Sequence, residues 1–194
     1  MLIDADLRAP AVARVLRPEE KTEGLTGILE GRVEMREAIQ PLEIDCLYLI
    51  SGGQIATNPA ELLARPEFGI LIAELEEQFD CIIIDSAPVL PVCDTLLLVP
   101  HAESVCVVIQ AGKTPRKAIL RAKKLLVEAG ASIGGLVMNM LSPKSDPDHY
   151  VYRQKYGAPE NYGGPVYSAR LQLPAPGNEA AAQAGNGANG NKHA

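Results

Sequence analysis

The chain has 194 residues, of which 47% are hydrophobic and 22% charged, the proportions of one soluble globular domain. Its 18 Lys and Arg against 24 Asp and Glu give a net charge of −6, which disfavours the phosphate backbone of nucleic acid as a partner. We therefore expect no nucleic-acid partner. No run of about 18 apolar residues occurs, and the N-terminus has no charged region followed by an apolar one, so we expect no membrane-spanning segment and no secretory signal. The four cysteines form no CxxC pair and lie in apolar runs, so we expect buried thiols and no zinc site.

Short apolar runs alternate with longer amphipathic segments along the first 141 residues. The runs predict strands at residues 1–4, 46–50, 81–84, 105–109 and 133–138. The amphipathic segments predict helices at residues 24–30, 58–79 with a break near Pro66, 92–99 and 115–129. This alternation predicts an α/β fold in three layers, with a mostly parallel sheet covered by helices on both faces. Since residues 81–84 are apolar at every position, they predict a central strand buried on both faces.

The composition changes after residue 141, and we expect three regions. Residues 1–141 are predicted to form the folded domain, and residues 142–173 form a segment rich in tyrosine, glycine and proline. Residues 174–194 are almost wholly Ala, Gly, Asn, Gln and Pro, which cannot bury enough apolar surface to offset the entropy of ordering. We expect this last region to be a disordered, low-complexity tail.

Carboxylates follow two of the predicted strands. Asp4 and Asp6 come directly after the first strand, and Asp85 follows the third. In open α/β sheets the carboxyl ends of the strands form the ligand-binding edge, and an aspartate after a buried strand is typical of an element that holds Mg²⁺ beside phosphates. Either segment alone is also explained by a helix cap or a turn residue. Together, in this order, they favour a nucleotide and metal site.

Several colinear segments of the chain resemble one known family. They are LIDADLRAP at 2–10, GLTGILEG at 24–31, SGG at 51–53, NPAELL at 58–63, FDCIIIDSAPVL at 79–90, GKTPR at 112–116 and GGLVMN at 134–139. The chain resembles the bacterial protein-tyrosine kinases (BY-kinases) of capsule and exopolysaccharide synthesis, which have a P-loop NTPase fold with deviant Walker motifs. The resemblance extends over about residues 1–167 and implies an ATP-dependent autokinase that regulates polysaccharide polymerisation and export.

The resemblance also implies a role for individual residues. Asp4 and Asp6 match the Walker A′ carboxylates, which act on Mg²⁺ and on the incoming tyrosine hydroxyl, and Asp85 matches the Walker B aspartate, so Asp4 and Asp85 are the expected metal ligands. Arg8 is expected near the ATP phosphates or at an interface, and Asn139 near the base. A solvated surface arginine and a turn asparagine remain the alternatives for these last two residues.

A cluster of tyrosines follows the predicted domain. It contains five of the six tyrosines of the chain: Tyr150, Tyr152, Tyr156, Tyr162 and Tyr167. In the family such a cluster is the autophosphorylation tail, and the alternative is an unmodified aromatic tail. The resemblance further implies a membrane-embedded chain-length regulator that activates the kinase, a homo-oligomer and a tyrosine phosphatase as partners. It implies a cytoplasmic protein held at the inner face of the plasma membrane through a partner or an N-terminal region.

The chain departs from the family at one essential motif. No GxxxxGK[ST] segment occurs in it, although a P-loop site uses that turn to cradle the phosphates. The family places the P-loop strand just before the Walker A′ strand and, in the sheet, beside the Walker B strand. Its absence predicts unpaired edges and exposed apolar faces on the two neighbouring strands, and low stability. The alternatives to an autokinase are a non-catalytic remnant or interaction module, or a partitioning or septum-positioning ATPase of the same superfamily.

Overall fold

The computed structural model describes residues 1–16 and 22–141, all of which belong to one compact unit, Met1–Pro147. The predicted tyrosine-rich segment and the low-complexity tail lie outside the described residues. The strands are β1 Leu2–Asp4, β2 Ile39–Pro41, β3 Tyr48–Ile50, β4 Ile83–Asp85, β5 Val105–Gln110 and β6 Ile133–Asn139. The helices are α1 Val12–Leu16, α2 Gly24–Leu29, α3 Met35–Ala38, α4 Pro59–Leu63, α5 Pro66–Glu76, α6 Asp94–Leu98 and α7 Arg116–Glu128, with a 3-10 turn at Val99–His101.

Four strands form one sheet in the order β2-β3-β1-β4. β1 pairs in parallel with both β3 and β4, and β2 pairs antiparallel with β3. The core on this sheet is built from fully buried apolar side chains that include Ile3, Leu7, Leu25 and Phe68. Because β1 lies inside this sheet, its carboxyl end is fixed from both sides.

The remaining two strands form a separate parallel sheet, β5-β6. Within the described residues β4 pairs only with β1, and β5 pairs only with β6. Ile83 of β4 is 57% exposed and Val108 of β5 is 63% exposed. The prediction that residues 81–84 are buried on both faces is therefore wrong: Ile82 and Ile84 pack against the core, whereas Cys81 and Ile83 are exposed, because no described element covers that face of the segment. Open edges on β4 and β5 are what a missing strand between them predicts.

The break expected near Pro66 separates two helices, α4 and α5. Arg65 precedes α5 in an extended conformation with φ −72° and ψ 150°, the conformation that a residue before proline favours. Pro66 then occupies the first turn, where its missing N–H costs no hydrogen bond. The sequence pattern does not predict α1, α3 or β2, because these elements have three to five residues each and are too short to show a period.

The four cysteines are exposed and unpaired: Cys46, Cys81, Cys93 and Cys106. The expectation of buried thiols is therefore wrong. Cys81 lies two residues before β4, and Cys106 lies on β5; these are the two strands that lack a described neighbour on one side. Their apolar sequence context indicated burial, which needs a covering element that the described residues do not supply. None of the described helices is long and apolar enough to span a lipid bilayer.

Candidate active site

The carboxyl ends of β1 and β4 bring the three predicted aspartates together. Asp4 and Asp85 are paired in register across the two parallel strands, a spacing of about 4.8 Å between chains. The Ala5 amide donates to the Asp85 carbonyl oxygen at 2.8 Å, and Asp6 follows one residue later. The Asp85 side chain is exposed at the surface, but nearby protein atoms partly desolvate it; this desolvation, and then the negative charges of Asp4 and Asp6, raise the pKa of Asp85, while a hydrogen bond from the Ser86 backbone lowers it.

Asp4 is fully buried and organises the loop that follows β1. Its Oδ2 accepts hydrogen bonds from the amides of Ala11 at 2.9 Å and Val12 at 3.0 Å, where α1 begins, and its Oδ1 accepts one from Asp6 at 3.3 Å. The carboxylate thus ties the end of the strand to the start of the next helix. This is the helix-capping alternative that sequence analysis left open, and it coexists with the position beside Asp85.

Asp6 is only partly buried and makes fewer contacts than Asp4. Its Oδ1 accepts from the amides of Arg8 at 3.2 Å and Ala9 at 3.1 Å. Within residues 1–16 and 22–141 no hydrogen bond is formed by its Oδ2 atom. Asp6 therefore presents a carboxylate oxygen that can accept a proton from a bound hydroxyl group.

Arg8 makes a two-pronged ion pair with Asp94, at the start of α6. Its Nε donates to Asp94 Oδ2 at 2.6 Å and its Nη2 donates to Asp94 Oδ1 at 2.9 Å. The Asp94 side chain is 1% exposed and that of Arg8 is 42% exposed. The hydrogen bond to Asp94 raises the pKa of Arg8 against the effect of desolvation. The guanidinium that was predicted near the phosphates or an interface is thus engaged within the chain.

The next residue of α6 holds the turn that follows β4. The Thr95 hydroxyl hydrogen-bonds the Ala87 carbonyl oxygen, and it lies 3.3 Å from Ser86 Oγ. Through Asp94 and Thr95, the first turn of α6 therefore contacts both aspartate-bearing loops. Neither residue was predicted from the sequence as part of the site. The signal for Asp94 was an aspartate inside the apolar run at 92–99, a residue type that is rarely buried without a partner.

Among the described residues, Asn139 forms no hydrogen bond with any of the three aspartates. It ends β6, is exposed, and its Oδ1 accepts from the Met140 amide at 2.7 Å. Its carbonyl oxygen accepts from Ala111 at 2.8 Å. This geometry is that of a turn asparagine, and it leaves the side-chain NH₂ group as a donor that a base could use.

The donor set fits Mg²⁺ better than a metal that needs an all-protein cage. No described group of three or more His, Cys, Asp or Glu side chains could hold a metal ion by itself. Mg²⁺ is usually held by one or two carboxylates together with waters and substrate phosphates. Asp85 has a raised pKa beside two other carboxylates and no ion pair with a described residue. A divalent cation would relieve that repulsion.

Comparison with known proteins decides the family. The chain is 35% identical over 152 residues to the tyrosine-protein kinase YwqD of Bacillus subtilis, covering 77% of this chain and 64% of YwqD. It superposes on the kinase domain of VpsO with a TM-score of 0.69 and 33% identity, covering 73% of this chain and 70% of that domain. The chain belongs to the bacterial tyrosine-kinase family. The fold is therefore the P-loop NTPase type predicted from the sequence.

Further relatives support the same family and show how far the similarity extends. The tyrosine-protein kinase CpsD of Streptococcus pneumoniae is 29% identical over 163 residues, covering 84% of this chain and 68% of CpsD. The chain thus spans about two thirds of the length of these curated relatives. The cell-division ATPase MinD of Pyrococcus furiosus has a TM-score of 0.61 at 23% identity, which shows a shared fold alone. No protein-family model matches the chain.

Proposed function

We propose that this chain supplies the aspartate-bearing part of an ATP-dependent protein-tyrosine autokinase that regulates capsular or exopolysaccharide polymerisation and export. The observation that carries the proposal is the register of Asp4 with Asp85, with Asp6 beside them, at the carboxyl edge of a kinase-family sheet. Phosphoryl transfer depends mainly on positioning and on neutralising charge. Carboxylates at this edge are the groups that such chemistry requires.

Each aspartate has a distinct part in the proposed reaction. Asp85, with Asp4 beside it, would hold Mg²⁺; the ion would supply balancing positive charge, and ATP would supply the phosphoryl group. Asp6 Oδ2 accepts the proton of the tyrosine hydroxyl as that oxygen bonds to the γ-phosphorus and ADP departs. Asp4 keeps the loop that carries Asp6 in place through its three backbone hydrogen bonds.

The proposed kinase also requires a phosphate cradle, which this sequence does not contain. A strand, a GxxxxGK[ST] turn and a helix would pair with the open edges of β4 and β5 and place backbone N–H groups beside the aspartates. The segment would come from residues that precede Met1 in a longer protein, or from a separate chain. The unpaired edges and the exposed Ile83 and Val108 support this arrangement.

The proposed substrates and partners follow the family. The tyrosines at 150–167 would be the autophosphorylation sites, and each phosphate adds about −1.5 to −2 charge, enough to weaken a homo-oligomeric interface. We propose a membrane-embedded chain-length regulator as the activator, a tyrosine phosphatase as the antagonist, and a cytoplasmic location at the inner face of the plasma membrane. The similarity to the kinase domain of the Escherichia coli tyrosine kinase ETK, at 28% identity and a TM-score of 0.67, supports a kinase of this class.

Transfer of label from γ-labelled Mg-ATP tests the proposal. The 194-residue chain is incubated alone and with a fragment of YwqD that carries its P-loop, and labelled tyrosines are mapped by mass spectrometry. We expect labelling of residues 150–167 only in the completed complex. A complex that forms without any labelling would favour the interaction module, and labelled tyrosines confined to the YwqD fragment would remove the autophosphorylation role of the tail.

A further inference from the structure

One helix of the protein presents a strongly basic surface. Six cations lie in α7 and the turn before it, and all six are exposed: Lys113, Arg116, Lys117, Arg121, Lys123 and Lys124. We call this set the basic face. No acidic residue occurs in residues 111–127, although the chain as a whole carries a net charge of −6. Positive charge is therefore concentrated on one helix of an otherwise acidic protein.

The basic face lies opposite the part of α7 that packs on the protein. At 3.6 residues per turn, the five members within α7 fall within roughly half of the helix circumference. Ala122 and Leu126 are buried on the other half. Leu120, 54% exposed, and Val127, 53% exposed, project near the middle of the basic half. The surface is thus a band of cations about 20 Å long with two apolar side chains inside it.

Contacts within the described part of the chain do not account for the basic face. Lys124 pairs with Glu128 at 3.7 Å, with both side chains well exposed, and no other member forms an ion pair with a residue of 1–16 or 22–141. Arg116 and Lys117 stand in the first turn, where positive charge opposes the helix dipole. Arg116 and Lys117 therefore do not stabilise α7 through its dipole, and the grouping of the six cations calls for an external partner.

We propose that the basic face of α7 docks directly on an anionic lipid bilayer. Clusters of four to eight Lys and Arg on an amphipathic helix are attracted to acidic headgroups, and the exposed Leu120 and Val127 suit the boundary between headgroups and acyl chains. A nucleic acid is disfavoured because the face carries no aromatic side chain for base stacking. Outside the basic face the chain has 12 Lys and Arg against 24 Asp and Glu, so an anionic bilayer repels the rest of the protein. The basic face therefore approaches the bilayer and fixes the orientation of the domain.

Vesicle co-sedimentation of the full 194-residue chain tests this docking. Binding is measured on phosphatidylcholine vesicles and on vesicles that also contain phosphatidylglycerol, at low and high salt. We expect binding only to the anionic vesicles, and weaker binding at high salt. Each charge removed lowers the partition coefficient about five-fold, so the variant Lys117→Gln/Arg121→Gln should bind about 25-fold more weakly. The matched control Arg14→Gln/Arg36→Gln removes two exposed charges elsewhere and should bind like the parent protein.

The outcomes separate the bilayer from other partners. Equal binding to neutral and anionic vesicles would overturn the proposal, because exposed apolar strands would then account for it. Equal losses in the two double variants would also overturn it, since net charge alone would be responsible. Soluble polyglutamate serves as a second probe. Tight binding of polyglutamate without vesicle binding would assign the face to an acidic polypeptide, whereas weaker vesicle binding by Leu120→Asn with unchanged polyglutamate binding supports the bilayer.

Discussion

Replacing Asp4 by alanine should destabilise the fold far more than the same change at Asp6. The Asp4 side chain is fully buried, and its loss leaves the amides of Asp6, Ala11 and Val12 without their acceptor. Hydrogen bonds to a charged acceptor contribute about 1.5–3 kcal/mol each. The full sum does not apply, because the bond from the Asp6 amide is long at 3.3 Å and the three amides are only half-buried. The change also relieves repulsion from Asp85. We therefore expect the free energy of unfolding to fall by about 3 kcal/mol.

Asp6 provides the matched control. Its two hydrogen bonds lie in an exposed turn, where a lost side-chain cap costs about 1 kcal/mol or less. Urea unfolding followed by far-UV circular dichroism gives both free energies. Asp4→Asn, which keeps one acceptor oxygen, should fall between the two alanine variants. Equal losses for Asp4→Ala and Asp6→Ala, within about 0.5 kcal/mol, would refute the anchoring role of Asp4.

Three further changes test other parts of the protein. Because the pKa of Asp85 is raised in the folded protein, ionisation of this carboxyl lowers stability as the pH rises above 3.8, the usual pKa of an aspartate. Asp85→Asn should therefore unfold at a higher temperature than the parent at neutral pH, with the difference vanishing below that value. Arg8→Ala leaves the buried Asp94 carboxylate unpaired, so the double variant Arg8→Ala/Asp94→Asn should melt above Arg8→Ala alone. Gly53→Ala should cost about 3 kcal/mol or more in urea unfolding, because Gly53 has φ +77° and its missing Cβ would collide with a backbone carbonyl. Gly31→Ala, at φ +71° in open space, should cost only about 1 kcal/mol.

Each of these changes has an outcome that contradicts its reasoning. A constant difference between Asp85→Asn and the parent across the acid range would show that the Asp85 carboxyl does not titrate abnormally. Additive losses for Arg8 and Asp94 would mean that the two side chains do not interact in solution. Equal costs at Gly53 and Gly31 would show that backbone conformation, and not close packing, governs the loop after β3.

The strands and their aspartates could be predicted because they depend on local sequence. An apolar run that ends in an acidic residue predicts both a strand and its ligand edge, and β1 and β4 end at Asp4 and Asp85. The pairing of Arg8 with Asp94 could not be predicted in the same way, since 86 residues separate the two. The exposure within residues 81–84 could not be predicted from the local sequence either. A strand lies at the centre or at the edge of a sheet according to which other strands pair with it.

The effect of the aspartates on phosphoryl transfer tests the central claim most directly. The measurement is the rate of tyrosine labelling in the complex of this chain with the P-loop fragment of YwqD, for the parent, Asp6→Asn, Asp85→Asn and the control Asp80→Asn, an exposed aspartate remote from the ligand edge. We predict a loss of about 100-fold or more for Asp6→Asn, a comparable loss for Asp85→Asn that excess Mg²⁺ partly restores, and no change for Asp80→Asn. Equal labelling by all four proteins would contradict the assignment of catalysis to these carboxylates.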